Sequence, residues 1–84
     1  MYYVYLLKNE SNGFYYGCTS DLKKRLREHN INKVFSTQKH QWKVIYYEAY
    51  SSQKDAFFRE KQLKQFGQSL SHLKRRLKHS LSEN

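Results

Sequence analysis

One cysteine, no proline, three glycines and seven acidic residues are what this 84-residue chain has little of. A single cysteine excludes an intramolecular disulfide and any cage of several cysteines around zinc, so nothing here needs an oxidising compartment. Without proline, and with only Gly13, Gly17 and Gly67 to interrupt it, the chain has no low-complexity stretch or linker, and one domain over 1–84 is expected. Long apolar runs are also missing. Met1–Leu7 is too short to span a bilayer and lacks the basic start and small-residue cleavage site of a signal peptide, so a soluble, cytoplasmic protein with no membrane partner is expected. The seven acids fall at no spacing that would cluster carboxylates, which argues against a two-metal nuclease.

Positive charge and aromatic bulk are what the chain has instead. Sixteen lysines and arginines give a net charge of +9, and 17% of the residues are aromatic, eight of them tyrosine. The charge is uneven: +6 over 22–45 and +3 over 69–84, against −1 over 1–21 and +1 over 46–68. Such a field attracts polyanions and releases their counterions on binding. With so few acids interspersed, a nucleic-acid partner is favoured over merely solvated helix faces. Lys23, Lys24 and Arg27, on the arc of their helix opposite its apolar stripe, together with Lys39 and Lys64, are the candidate phosphate contacts. The aromatics argue against disorder, because they bury the most area per residue in a small core.

Periodicity and punctuation predict the order ββαβαα, an α/β (α+β) arrangement. Tyr2–Lys8 and Phe14–Thr19 read as strands joined by the turn Asn9-Glu10-Ser11-Asn12-Gly13, a hairpin. Trp42–Tyr50 reads as a third strand, with Lys43, Ile45 and Tyr47 on one face and Val44 and Tyr46 on the other. Thr19 or Ser20 is expected to cap a first helix that has Asp21 in its first turn and runs to about Asn30. Ser52–Asp55 matches a capping box and opens a second helix closed by Gly67. Ser69 is expected to cap a third, striped by Leu70, Leu73, Leu77 and Leu81.

Two helices break their own patterns. On the second, Phe66, Leu63, Ala56, Glu60 and Phe57 share one arc, so a carboxylate sits inside an apolar stripe. Burying it requires a cation, and Arg59 or Lys64 could serve as the structural partner. On the first, Arg25 borders the narrow stripe Leu22, Leu26, His29, where its stem could simply pack with the head in water. Taken together with the hairpin's tyrosines, these residues are the parts for hydrolysing a phosphodiester. They offer a metal ligand, a guanidinium for the anionic transition state, and groups that orient and deprotonate water. A single hard cation held by one carboxylate, with water and phosphate completing its shell, is what magnesium tolerates.

Tyr3-Val4-Tyr5, nine further residues, then Tyr15-Tyr16-Gly17 resembles the paired motif of the GIY-YIG endonucleases. The likeness continues through Gly17–Leu22, Arg25, His29-Asn30, Trp42-Lys43, Tyr46–Glu48, and Ala56 followed by Arg59–Lys64. It covers nearly the whole chain. It is strongest towards the small stand-alone bacterial branch, related to the N-terminal nuclease domain of the excision-repair incision enzyme. The resemblance implies a three-stranded antiparallel sheet flanked by helices and a metal-dependent endonuclease acting on DNA, in repair or processing. It implies that Tyr5 and Tyr15 face the active site, one of them polarising or deprotonating the attacking water, with Tyr5 favoured as the base. A base role requires nearby positive charge to lower the ordinary tyrosine pKa near 10. Arg25 would stabilise the pentacovalent phosphate, His29 would orient a tyrosine or share proton transfer, and Glu60 would hold one Mg2+ or Mn2+ ion. Gly17 is expected to let strand and helix backbones pack closely beside the site. Tyr3 stands where the motif usually has glycine, Tyr16 where it has isoleucine, and Cys18 where some members of the wider family carry lysine. Charge activation of tyrosine then falls to Arg25, another lysine or the metal.

Two other classes compete with the enzyme. One is a weak or inactive module of the same fold that holds DNA or RNA through its basic helices; binding alone gives Glu60 no task. The other is an interaction protein using exposed tyrosines, which the charge disfavours. The chain carries no separate recognition domain, so specificity is expected from the domain itself, a homodimer or a protein partner.

Overall fold

In the computed structural model the description covers residues 1–31, 39–65 and 67–82, with the backbone alone for 67–70 and 82. Three strands, β1 (Tyr2–Asn9), β2 (Phe14–Thr19) and β3 (Trp42–Tyr50), form one antiparallel sheet in the order β2-β1-β3. Helix α1 (Leu22–Asn30) follows β2. Helices α2 (Gln53–Gln65), α3 (Gly67–Arg76) and the short α4 (Lys78–Ser82) follow β3. The N-terminal strand is therefore the central one, and its side chains from Val4 to Lys8 are buried.

The hairpin is set by one side chain. Asn9 Oδ1 accepts from the backbone N–H of Ser11 at 2.9 Å and of Gly13 at 2.7 Å. The turn then closes through Asn12, which takes the left-handed conformation asparagine tolerates. Register follows, with Tyr5 opposite Gly17 and Leu7 opposite Tyr15.

Alternation along β1 splits the core in two. Val4 and Leu6 face Ala56 and Leu63 of α2, Leu73 of α3 and Leu77. Tyr5 and Leu7 face the opposite layer, with Trp42, Val44, Tyr15, and Leu22 and Leu26 of α1. Strand β3 does not keep the strict alternation expected of it. Leu6 pairs with Tyr46 and Leu7 with Val44, so Ile45 is an extra residue in a bulge. Ile45 and Tyr46 both pack on the α2 layer, while Val44 lies in the α1 layer.

Three local expectations are corrected. Asp21 caps α1, its carboxylate accepting from Lys24 N at 3.1 Å; Thr19 instead receives Asp21 N through its hydroxyl. Helix α3 begins at Gly67, so Ser69 lies inside its first turn, and the expected single third helix is interrupted at Leu77 before α4. Phe57, placed by the 100° step on the buried arc of α2, is 51% exposed, because among the described residues that helix touches the sheet through Ala56 and Leu63 alone of its apolar side chains. Phe66 and the side chain of Leu70 lie outside the described residues. Leu73 and Leu77 are buried as the stripe requires, and Leu81 packs beside them.

The far ends of the chain are tied together by polar groups. Lys8 Nζ donates to the Leu81 carbonyl at 2.6 Å, so an almost buried lysine sits against the backbone of the last helix. Asn30 donates to the Trp42 carbonyl at 2.9 Å and accepts from its N–H at 2.6 Å, fixing the end of α1 to the start of β3. In the α2 layer, the Arg59 guanidinium meets both oxygens of Glu48 at 3.0 and 3.1 Å, and the Tyr46 and Tyr50 hydroxyls donate to the same carboxylate. Burial alone would push Glu48 up, but these donors outweigh it and hold the carboxyl below its usual range.

Replacing Leu63 with alanine should cost about 2–5 kcal/mol of stability, as for other large-to-small core changes. Phe57→Ala should stay within about 0.5 kcal/mol. Urea unfolding of the two variants checks the correction directly.

Candidate active site

Tyr5 begins on the middle strand and must reach outward to be useful. Its path runs over Gly17, the residue opposite it on the edge strand β2. A Cβ on Gly17 would lie 2.5 Å from the Tyr5 hydroxyl and 2.8 Å from Cζ. The glycine therefore makes room for the tyrosine ring, rather than for helix backbone as expected from the sequence. With that space, the phenol lies flat against its own sheet and delivers its oxygen towards α1.

There it meets His29, whose Nε2 is 2.9 Å away and whose side chain is wholly buried. Arg25, one turn earlier on α1, brings its positive charge to bear on the Tyr5 oxygen. The Tyr5 O–H donates to Nε2 when the His29 proton is on Nδ1, and accepts from Nε2–H in the other tautomer. Tyr15 completes the cluster, its ring 4.9 Å from the His29 ring and 6.3 Å from that of Trp42, both edge-on. These four residues, expected from the sequence at separate points of the chain, are contiguous.

Burial and charge act on Tyr5 in opposite directions. Burial pushes Tyr5 up to about 12, and Arg25 only partly offsets it. Tyr5 is thus a phenol at neutral pH, not a phenolate poised by positive charge. Burial lowers His29 first and the Arg25 charge adds to it, so the imidazole is neutral. Cys18 is raised by burial and then by Glu60, which leaves an unreactive thiol packed at the margin of the core.

Glu60 belongs to α2, in the other layer, yet its charge is felt at both Tyr5 and Cys18. Its side chain is 21% exposed and pairs with Lys64 at 3.5 Å, one turn along the helix. Of the two cations weighed for it, Lys64 is the partner, because Arg59 is engaged by Glu48. Among the described residues no three histidine, cysteine or acidic side chains cluster. Glu60 is a single, partly exposed carboxylate, which suits an ion that keeps most of its water.

Glu28 is the site residue that sequence reasoning passed over. It pairs with Arg25 at 3.4 Å and lines, with Arg25, Cys18 and Asp21, a shallow cavity of about 270 Å3. The signal was present, since residues three apart share a helix face. Lys23, Lys24, Arg27, Lys39 and Lys64 are all exposed, the first three along α1.

Against this geometry, the family model described as the GIY-YIG catalytic domain matches residues 1–74. The chain belongs to the GIY-YIG family. It is similar to UPF0213 protein SH2523 of Staphylococcus haemolyticus (strain JCSC1435), 31% identical over 67 residues that span 77% of this chain and 82% of that protein. No solved structure matches the chain. The GIY-YIG family is of nuclease type and implies a nucleic-acid substrate. The three-stranded antiparallel sheet with its flanking helices is the GIY-YIG fold expected from the sequence. In this GIY-YIG chain, the tyrosines of the two motif triplets, Tyr5 and Tyr15, come together around one histidine.

Two measurements test the arrangement. Gly17→Ala places a methyl group inside contact distance of a ring that is 2% exposed and has nowhere to move. It should destabilise the fold by about 1–3 kcal/mol, read by thermal or urea unfolding. The second concerns pH. His29 has a folded pKa below its ordinary 6.5, so the unfolded chain binds more protons and stability rises with pH. The contribution is complete above about pH 6.5 and is lost as pH falls towards the folded pKa. Urea midpoints of wild type should therefore fall as the pH drops below about 6.5, and His29→Gln should remove that part of the fall.

Proposed function

We propose that the protein is a metal-dependent endonuclease that hydrolyses phosphodiester bonds in DNA, in repair or processing. The observation that carries this is the cluster of Tyr5, His29 and Tyr15 beside Arg25 in a GIY-YIG chain. A structural role alone gives no reason to gather two tyrosines, a histidine and an arginine at one point of the fold.

The proton chemistry uses the His29 tautomer in which Nε2 accepts from the Tyr5 hydroxyl. A water beside the Tyr5 oxygen gives up its proton to that oxygen as the Tyr5 proton moves to His29 Nε2, so no free phenolate has to form at neutral pH. The imidazolium that results is next to Arg25, which disfavours it, and near Glu28, which favours it. An incoming phosphate shifts that balance further towards the charged imidazole. Arg25 then serves a second purpose, donating to the phosphate oxygens as charge builds on them. Tyr15, held edge-on by His29 and Trp42, offers its hydroxyl to water or phosphate.

GIY-YIG nucleases are in general dependent on a divalent metal. Glu60 is the residue that would hold Mg2+ or Mn2+, and the ion would supply stabilisation of charge on the phosphate and leaving oxygen. Lys23, Lys24 and Arg27 would bind flanking phosphates, with Lys39 and Lys64 extending the surface.

The raised Tyr5 pKa and a thiol at Cys18 favour slow turnover, and a module that binds without cutting is the alternative outcome. Glu60→Gln separates the two. It keeps side-chain size but removes the charge a hard cation requires. The Lys64 pair is a partly exposed one, so stability should change by less than about 1 kcal/mol. Cleavage of branched, nicked and linear DNA in magnesium should drop by orders of magnitude, while binding in EDTA stays equal or tightens. Wild-type protein that binds and never cuts, in magnesium or manganese, would establish the binding module. A Glu60→Gln variant that cuts as fast as wild type would remove Glu60 from the site.

A further inference from the structure

The face of the sheet opposite Tyr5 carries a second concentration of positive charge that the active site does not use. Arg59 of α2 and His72, Leu73, Arg75 and Arg76 of α3 line a cleft of about 520 Å3 between the two helices. Among the described residues no acid lines it. The nearest carboxylate, Glu48, is already taken by Arg59 and two tyrosine hydroxyls. Arg75 and Arg76 are exposed and make no ion pair or hydrogen bond among the described residues. Clasping by Glu48 also fixes the Arg59 guanidinium in place, so one of the three arginines is positioned before any ligand arrives.

The Arg75 and Arg76 guanidiniums, paired with no acid among the described residues, match phosphate, which they can bind through paired N–H donors. The cleft belongs to the layer that packs on Val4 and Leu6, whereas α1 packs on Tyr5 and Leu7. The sheet lies between the two basic surfaces. Cα extents of 30 × 26 × 20 Å make the domain about as thick as a duplex is wide. DNA is stiff over roughly 150 base pairs, so one straight duplex lying on α1 does not bend round to the cleft.

We infer that Arg75, Arg76 and His72, beside the Glu48-held Arg59, form a second phosphate-binding site that holds a duplex segment other than the one at the candidate active site. A single copy of the domain then joins two segments, or two arms of one branched molecule. The inference shares with the proposed function the premise that the partner is nucleic acid, but it does not depend on catalysis.

The test is done in EDTA, without cleavage. A labelled short duplex is titrated with wild type, Arg75→Gln/Arg76→Gln, and a control that removes two exposed charges elsewhere on α2, Lys54→Gln/Lys61→Gln. Removing one phosphate interaction lowers the log–log salt slope by about 0.9, so the arginine pair should reduce it by about 2 units and the control by much less. In a second assay, an immobilised duplex with bound protein is offered a differently labelled duplex. Wild type should capture it, and the arginine variant should not while still holding the first. Circular dichroism melting checks that both variants remain folded. Equal slope reductions in the two variants, or no capture of a second duplex by wild type, would overturn the inference. Capture by a protein that never cleaves would leave it standing and refute only the catalytic reading.

Discussion

Everything at the active-site edge depends on a tyrosine ring lying where a side chain should be. Tyr5 grows from the most buried strand, and its hydroxyl reaches α1 only because position 17 has no Cβ to block it. Once the ring is flat on β2, its oxygen meets the buried His29 imidazole at 2.9 Å and feels the charge of Arg25. Sterics settle the ring, and the ring settles which groups its oxygen meets. The same burial that fixes the group also makes its proton harder to remove, which is why a ring nitrogen at 2.9 Å matters more than nearby charge.

Two different uses of tyrosine and arginine meet across this one sheet. In the α2 layer, Tyr46, Tyr50, Glu48 and Arg59 neutralise one another and every donor to the carboxylate is engaged. In the α1 layer, Tyr5, Arg25 and His29 include no acid in direct contact with the phenol; Glu28 meets the arginine from behind and Glu60 acts from a distance. The first set is closed and serves to attach α2 to β3. The second centres on a buried histidine, with its ion pair, Arg25 and Glu28, at the partly exposed margin. Similar residues thus give a clasp around a carboxylate on one face and a cluster around an imidazole on the other.

Much of this was legible in the chain. Strand limits, the hairpin and α1 followed from turn residues and period, and the odd positions of Arg25 and Glu60 in their helices marked the residues that turn from core to site. What escaped needed information about neighbours. Phe57 fell on the right arc of α2 but beyond the strip that the sheet covers. Ile45 could not be recognised as a bulge because its extra place is defined by Leu6 and Leu7 on another strand. The fall or rise of the Tyr5 pKa was undecidable from composition, since it pits burial against Arg25, and burial wins. Glu28 was overlooked although its spacing from Arg25 advertised the pair.

Placing the first strand in the middle of the sheet has a consequence for how the chain is made. β1 finds β2 at once, through a hairpin, but its other edge pairs with residues 42–50. During synthesis, the N-terminal hairpin therefore leaves the ribosome with an open edge and two apolar faces, and remains so until β3 follows. Contacts between such distant parts of the chain form slowly compared with local ones. Lys8 must also wait for Leu81, 73 positions further on, so α4 docks onto a strand translated well before it.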